Sequence, residues 1–306
     1  MSRELQDAAT LAVTHVGILT SDIEDTAQVW ERLFALTRRE KRPTWFAREE
    51  GVLATYLPVG AHAVEPLQPL TVGSLQATKL ALGRRAFHLS IRVRSIQQVA
   101  ARIRSRGTWV QLRAPGQIVQ VHRGWIDDRA ARGVVFELID EDEVAAFRSG
   151  AAAGVTDDTE TTFLTEFLAV GHVVSEMGES VRFYEDVLGF AGEQMEGHDV
   201  FAPSAICARM TLSDGPAVEV VQPVGAESVV GEWLVEHGEG IAYLKFAVSD
   251  LPALEEHLCA EEAWLQTERT RDGELAAIWV RDSSTHGVPV LLVPEASTAL
   301  KGRNQR

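Results

Sequence analysis

Only two cysteines, Cys207 and Cys259, occur in 306 residues. That is too few for a disulfide framework or a thiolate metal site, and a reducing cytoplasm is the expected setting. No run of about 18 apolar residues occurs, so no membrane-spanning helix is expected. The opening Met1-Ser2-Arg3-Glu4-Leu5-Gln6-Asp7 has neither the basic nor the apolar stretch of a signal peptide. Positive charge is scarce in the second half. Residues 151–306 hold 9 basic and 27 acidic side chains, against 20 and 17 in residues 1–150. A chain of net charge −15 distributed in this way offers no basic face for nucleic acid. The near-neutral, arginine-rich first half suits an anionic small molecule instead. The partner expected is thus a small-molecule substrate, with no nucleic acid and no membrane; a homodimer is allowed for.

What is present is a chain 45% apolar and long enough for about two domains. Leu11 to Ile18 reads as a strand. Ser21-Asp22-Ile23-Glu24 has the form of a capping box, and the helix it opens runs to about Leu36. Ile23, Ala27, Trp30 and Phe34 share one face of it. Strands are expected at Val52 to Leu57 and His62 to Leu67, with a short helix around Leu75 to Leu82. Ala86 to Val93 is a buried strand. Ser95 caps a helix through Arg106, and Gly107 ends it. Strands near Trp109 to Leu112 and Ile118 to His122 precede a charged loop around Trp125. Gly133 to Asp140 closes this half. Residues 144–162 have a linker composition, rich in small residues and then in Thr and Asp.

The second half repeats the order. Leu168 to Val174 is a strand and Glu179 to Leu188 a helix. Strands follow near Asp199 to Phe201, Ala205 to Leu212 and Ala217 to Gln222. Ile241 to Val248 is a further strand, Ser249 caps the next helix, and three strands finish at Pro289 to Val293. Motif by motif the halves align. His15 maps to His172 at an offset of 157, Glu65 to Glu219 at 154, His88 to Tyr243 at 155, and Glu137 to Leu291 at 154. A near-constant offset over four strands marks an internal duplication. Within each half, strand, helix and about three strands recur twice.

His15, Glu65, His88 and Glu137 each stand in a strand where an apolar residue would fit. Two imidazoles and two carboxylates on four strands is a metal-site composition. A carboxylate buried without a partner costs several kcal/mol, and a divalent cation offsets that. Zinc, cobalt, nickel, manganese and iron all accept such a donor set. Taken singly, a buried histidine is more often a hydrogen-bonded core residue; the case rests on the four together.

The segments HVGILTSDIEDTAQVWERLFAL and GHVVSEMGESVRFYEDVLGF resemble the opening of the vicinal oxygen chelate superfamily. It includes glyoxalase I, methylmalonyl-CoA epimerase, extradiol dioxygenases and bleomycin-resistance proteins. VLATYLPVGAHAVEPLQPL and GVVFELI look most like the methylmalonyl-CoA epimerase branch. The resemblance implies an α+β fold of four β-α-β-β-β modules in two tandem glyoxalase-like domains, each an open eight-stranded cup. Residues 1–143 would be the metal-binding domain, 144–162 the linker, and 163–306 a degenerate copy. One divalent ion, held by His15, Glu65, His88 and Glu137, would sit in the first domain. It would leave two positions for adjacent substrate oxygens and stabilise an enolate or enediolate.

The reaction implied is an epimerisation or isomerisation at a carbon next to a carbonyl, on a keto-cyclitol of valiolone type or a methylmalonyl-CoA-like substrate. Glu137, Glu49 and Glu50 are the candidates for proton transfer, and His122 and Arg123 for substrate binding. The second half, with Tyr243 and Leu291 in place of His and Glu, is expected to hold no catalytic metal. The alternatives are an extradiol-type or keto-acid dioxygenase, a non-catalytic small-molecule binding protein, and a lactoylglutathione lyase.

Overall fold

The computed structural model describes residues 10–38, 45–47, 51–112, 123–141, 162–195 and 205–295. The first half contributes β1 (Thr10–Leu19), the helix Ile23–Phe34, β2 (Trp45–Ala47), β3 (Val52–Ala54), β4 (Leu57–Val59) and β5 (His62–Pro69). The short helix Leu75–Ala81, β6 (Ala86–Val93), the helix Ile96–Ser105, β7 (Val110–Leu112), β8 (Arg123–Ile126) and β9 (Val135–Asp140) complete it. The second half contributes β10 (Leu164–Val173), a helix Met177–Arg182 that widens into a π-helical turn over Phe183–Leu188, and β11 (Ala191–Met195). After these come β12 (Ala205–Thr211), β13 (Ala217–Pro223), the helix Val229–His237, β14 (Gly240–Val248) and the helix Leu251–Ala260. The strands β15 (Leu265–Arg269), β16 (Leu275–Val280) and β17 (Val290–Pro294) finish it. No helix among the described residues is long and apolar enough to cross a membrane.

The strands form two mixed sheets. One has the order β2-β3-β5-β1-β6-β9-β8-β7, with β4 also paired to β5. The other has the order β11-β12-β13-β10-β14-β17-β16-β15. The second order repeats the first, module by module. β6 and β9 run parallel, as do β14 and β17. The duplication read from residue offsets is therefore also a duplication of topology.

A repeated glutamine fastens each half's first helix. The backbone N–H of Ile23 donates to Gln68 Oε1 at 3.1 Å, and that of Met177 donates to Gln222 Oε1 at 2.8 Å. The first N–H groups of a helix have no partner within it. A side chain at the end of β5 or β13 supplies one. This explains why VEPLQP and VEVVQP share their Gln as well as their Glu. The cap of Ile23–Phe34 is Asp22, whose carboxylate accepts from the N–H groups of Glu24 and Asp25, and not Ser21 as the capping-box pattern suggests. The cap of Leu251–Ala260 is likewise Asp250, one position after Ser249. In both cases the chain stays extended one residue longer, and the carboxylate is the stronger acceptor.

By its contacts the chain divides into two compact units. One contains residues 1–16, 88–156 and 171–241. Here the helix Ile96–Ser105 buries Ile96, Val99, Ala100 and Ile103 and packs on β8 and β9. Phe136 meets Phe183 and Tyr184, both at 5.8 Å between ring centroids. Gly133 has φ +89°, and a β-carbon added there would collide with the carbonyl of Glu239. The other unit contains residues 17–87, 157–170 and 242–306. Its centre is Trp30, which packs on Phe34 and Phe246 and donates its indole N–H to the Thr285 carbonyl at 3.0 Å. The face Ile23, Ala27, Trp30 and Phe34 is buried as its spacing predicts.

Two expectations are corrected. Trp125 lies in β8 and not in a charged loop, because β8 alternates: Gly124 and Ile126 are buried on one face, and Arg123 and Trp125 turn to the other. The stretch Val52 to Leu57 forms two short strands rather than one, with β3 and β4 both pairing to β5. The helix Val229–His237 and the exposed strand β11 were not anticipated; Ala191-Gly192-Glu193-Gln194-Met195 has no apolar alternation to reveal it. The strands expected near 118–122 and 199–201, and the linker up to residue 161, lie outside the described residues.

His172, the counterpart of His15, is a core histidine with both ring nitrogens engaged. Nε2 bonds the Arg132 carbonyl at 2.9 Å, and Nδ1 bonds the Tyr184 hydroxyl at 3.0 Å. Burial pulls its pKa down to about 4, so it stays neutral in the fold. The unfolded chain protonates it near 6.5, and the stability this confers is present above that value and is lost as pH falls toward 4. Urea unfolding at pH 7 and pH 5 should show wild type losing about 2 kcal/mol more than His172→Gln across that interval. Gly133→Ala should cost at least about 2 kcal/mol in the same assay, from the left-handed backbone and the collision together.

Candidate metal centre

The site grows out of strand pairing. Ser90 of β6 lies in register with Glu137 of β9, and Trp125 of β8 lies opposite the same Glu137. Residues two apart on a strand share a face. His88, Ser90, Glu137, Trp125 and Arg123 therefore all turn to one side of the sheet. The other side carries Leu89, Ile91, Phe136 and Leu138, all fully buried. A single alternation thus separates the core from the chemistry.

The polar groups on that face converge. His15 Nε2 lies 3.4 Å from Glu137 Oε2, and His88 Nε2 lies 3.7 Å from the same oxygen. The two imidazoles stand edge to face, 5.5 Å between centroids. His88 also meets the half-buried Trp125 edge to face at 5.6 Å. One donor atom each from His15, Glu65 and His88 lies within 4.8 Å of the other two. These groups are 7%, 6% and 2% exposed, and Glu137 is 1% exposed. Donors bound to one ion at about 2.1 Å stand roughly 3.0–3.4 Å apart. The spacing, the burial and the mix of imidazole and carboxylate fit a divalent cation.

Glu137 is held from both ends. Arg123 Nη1 donates to Oε1 at 2.8 Å, and the Ser90 hydroxyl donates to Oε2. Burial alone would push its pKa up. The Arg123 guanidinium, the His15 contact and the nearby His88 outweigh that and hold the carboxyl well below the usual carboxylate range. Ser90 Oγ also lies 2.8 Å from His15 Nε2, and Thr14 Oγ1 lies 3.2 Å from His15 Nδ1.

The structure thus brings His15, His88 and Glu137 together, with Glu65 grouped to the two imidazoles. It places Arg123 on Glu137. Glu49, Glu50 and His122 lie outside the described residues. Sequence reasoning missed Ser90, Trp125 and Thr14. Ser90 was within reach, since it lies two residues after His88 on the same strand. The Trp125 contact needed the β8–β9 register, which no local pattern reveals.

In the second half two of the four positions keep their residue type, as His172 and Glu219, and two hold different groups, Tyr243 and Leu291. Lys245 lies in register with Leu291 as Ser90 does with Glu137, and Trp279 lies opposite Leu291 as Trp125 does opposite Glu137. Tyr243 meets Trp279 edge to face at 5.4 Å, repeating the His88–Trp125 contact. Glu219 is fully buried and lies 3.4 Å from Arg209 Nη1.

No protein-family model matches the chain, and no curated protein matches it. Solved structures do. A 4-hydroxymandelate synthase variant from Streptomyces coelicolor aligns with TM-score 0.64 at 11% identity, covering 93% of this chain and 92% of its own. A methylmalonyl-CoA epimerase from Mycobacterium tuberculosis covers 46% of this chain and 95% of its own, at 23% identity and TM-score 0.39. A Streptomyces coelicolor methylmalonyl-CoA epimerase covers 44% and 96%, at 21% identity and TM-score 0.38. Four β-α-β-β-β modules, paired into two sheets of repeated order and matched along almost the whole chain, give this protein a tandem glyoxalase-like fold.

Proposed function

We propose that the first half is a divalent-metal site for proton transfer at a carbon next to a carbonyl, and that the protein is an epimerase or isomerase of a small molecule. The observation that carries this reading is the convergence of His15 Nε2, His88 Nε2 and Glu137 Oε2 in a region closed to water. His15, Glu65, His88 and Glu137 would hold the ion. A bound divalent ion supplies Lewis acidity toward a substrate oxygen, which acidifies the neighbouring C–H.

The chain's own residues divide the remaining work. Arg123 anchors one oxygen of Glu137 and so aims the other at the imidazoles. Trp125 lies against the His88 ring and shields it from solvent. Glu137 suits a ligand better than a base, because a carboxylate held so far below neutral pH takes up a proton poorly. Proton removal therefore falls to Glu49 or Glu50, the pair placed ahead of β3 in the chain. A keto-cyclitol of valiolone type and a methylmalonyl-CoA-like ester are the substrate classes proposed, since both carry an acidic C–H beside a carbonyl.

A dioxygenase is the second reading. It is favoured by the length of chain shared with 4-hydroxymandelate synthase. A shared fold does not carry a reaction with it. Against it stand the second-half positions, where His172 has both nitrogens hydrogen-bonded and Tyr243 and Leu291 offer no imidazole or carboxylate.

Metal analysis of the purified chain should find one divalent ion per molecule. His15→Ala or His88→Ala should lower its affinity at least about 100-fold, while His172→Gln leaves it in place. Incubation in D2O with keto-cyclitols and acyl-CoA esters should exchange a C–H without consuming oxygen. Oxygen uptake in place of exchange would establish the dioxygenase, and a metal-free protein would point to simple binding.

A further inference from the structure

Beyond the metal-facing groups, the same face of the sheet holds two arginines. Arg92 follows Ser90 by two residues on β6, and Arg123 precedes Trp125 by two on β8, so both share the face of His88, Ser90 and Glu137. Both stand in register with Ile139 of β9. Since β9 lies between β6 and β8, the two arginines flank Ile139 at one level, about 10 Å apart across two strand spacings. That level is one two-residue step, about 7 Å, along the strands from the row of Ser90, Glu137 and Trp125.

Arg123 is held by Glu137, but the partner of Arg92 does not account for its place. Arg92 Nη2 lies 3.5 Å from Asp214 Oδ2, long for a hydrogen bond, and the Asp214 side chain is 57% exposed. Such an ion pair contributes at most about 1 kcal/mol. The Arg92 side chain is only 14% exposed, and its Nε is sealed from water with no hydrogen-bond partner among the described residues. A buried donor left unmade costs about 1–3 kcal/mol, and an arriving acceptor recovers that. Charge points the same way. The two charges of a bound divalent ion offset Glu65 and Glu137. Arg92 and Arg123 then add two positive charges, and exposed Asp214 answers one of them. In a chain of net charge −15, this face would be electropositive once the ion is bound.

We propose that Arg92, backed by Arg123, is the subsite for a compact oxyanion on the substrate, a carboxylate or a phosphate, one strand step past the metal-facing groups. The inference rests on the metal reading above and narrows its substrate class. The substrate is an enolisable ketone that also carries an acidic group several bonds from its carbonyl. A guanidinium grips either oxyanion through two parallel N–H···O bonds, and Arg92 has Nε and an Nη to make them. Holding the far end of the molecule orients the carbon whose proton moves. A neutral ketone of the same length leaves the guanidinium unmet, which is how the site tells the two apart. Arg92 is therefore a specificity-determining residue and takes no part in the proton transfer.

The test uses the full chain loaded with zinc and titrated in a calorimeter with two matched pairs of ketones. One pair is D-ribulose 5-phosphate and D-ribulose, and the other is 5-keto-D-gluconate and D-fructose. Wild type should bind the anionic member of at least one pair about 10- to 100-fold more tightly than its neutral partner. The pair that shows the larger preference tells phosphate from carboxylate. Arg92→Met should abolish the preference while zinc affinity, read by chelator competition, stays at the wild-type value. Arg92→Lys should recover part of the preference. Asp214→Asn, a change at an exposed side chain, should raise it severalfold by releasing the guanidinium. No preference in either pair, or an undiminished one in Arg92→Met, overturns this inference and leaves the metal reading intact where zinc still binds. A chain that binds no zinc ends both. Should Arg92→Met fail to fold, the wild-type preference and its rise in Asp214→Asn decide the matter.

Discussion

A carboxylate sealed from water must be met by positive charge or by hydrogen-bond donors, and the first half of this chain is arranged around that requirement at Glu137. The Arg123 guanidinium takes one oxygen and the Ser90 hydroxyl the other. Breaking such a buried pair by removing one partner typically costs 3–5 kcal/mol. The satisfied carboxylate fixes the relation of β8, β9 and β6, since it stands on β9 and its partners come from the other two. His15 and His88 reach it within 3.4 and 3.7 Å, so the group that locks three strands is also the one the imidazoles face.

The second copy has no carboxylate at that position. Leu291 stands at its register position, and the rest of the network has changed with it. Trp279 still lies opposite, but the ring it meets is Tyr243. His172 has turned to the Arg132 carbonyl and Tyr184. These substitutions fit together. The two nitrogens of His172 are satisfied by a carbonyl and a phenol, and a buried position facing leucine favours an apolar or aromatic neighbour.

Much of this was legible from residues alone. The offset between His15 and His172, Glu65 and Glu219, His88 and Tyr243 exposed the duplication, because each pair sits in a strand whose polar intruder is conspicuous against apolar neighbours. The helical face of Ile23, Ala27, Trp30 and Phe34 followed from period alone. Other features were hidden for a physical reason. The Trp125 strand is four residues long and holds a glycine and an arginine, so only its pairing with β9 makes it a strand. Arg123 and Glu137 are 14 residues apart, and their contact depends on the β8–β9 register. Asp22 and Asp250 displaced their neighbouring serines as caps because backbone conformation, and not residue preference, sets where a helix begins.

The paired glutamines carry a different kind of information. Gln68 and Gln222 each reach from a strand's end to the opening N–H of a helix, and they do so whether or not the half retains a histidine pair. A fastening of this sort is indifferent to chemistry. It is present in both halves, so the Gln-Pro at the strand's end is a better landmark for aligning the modules than the positions of His88 and Glu137, which differ between them.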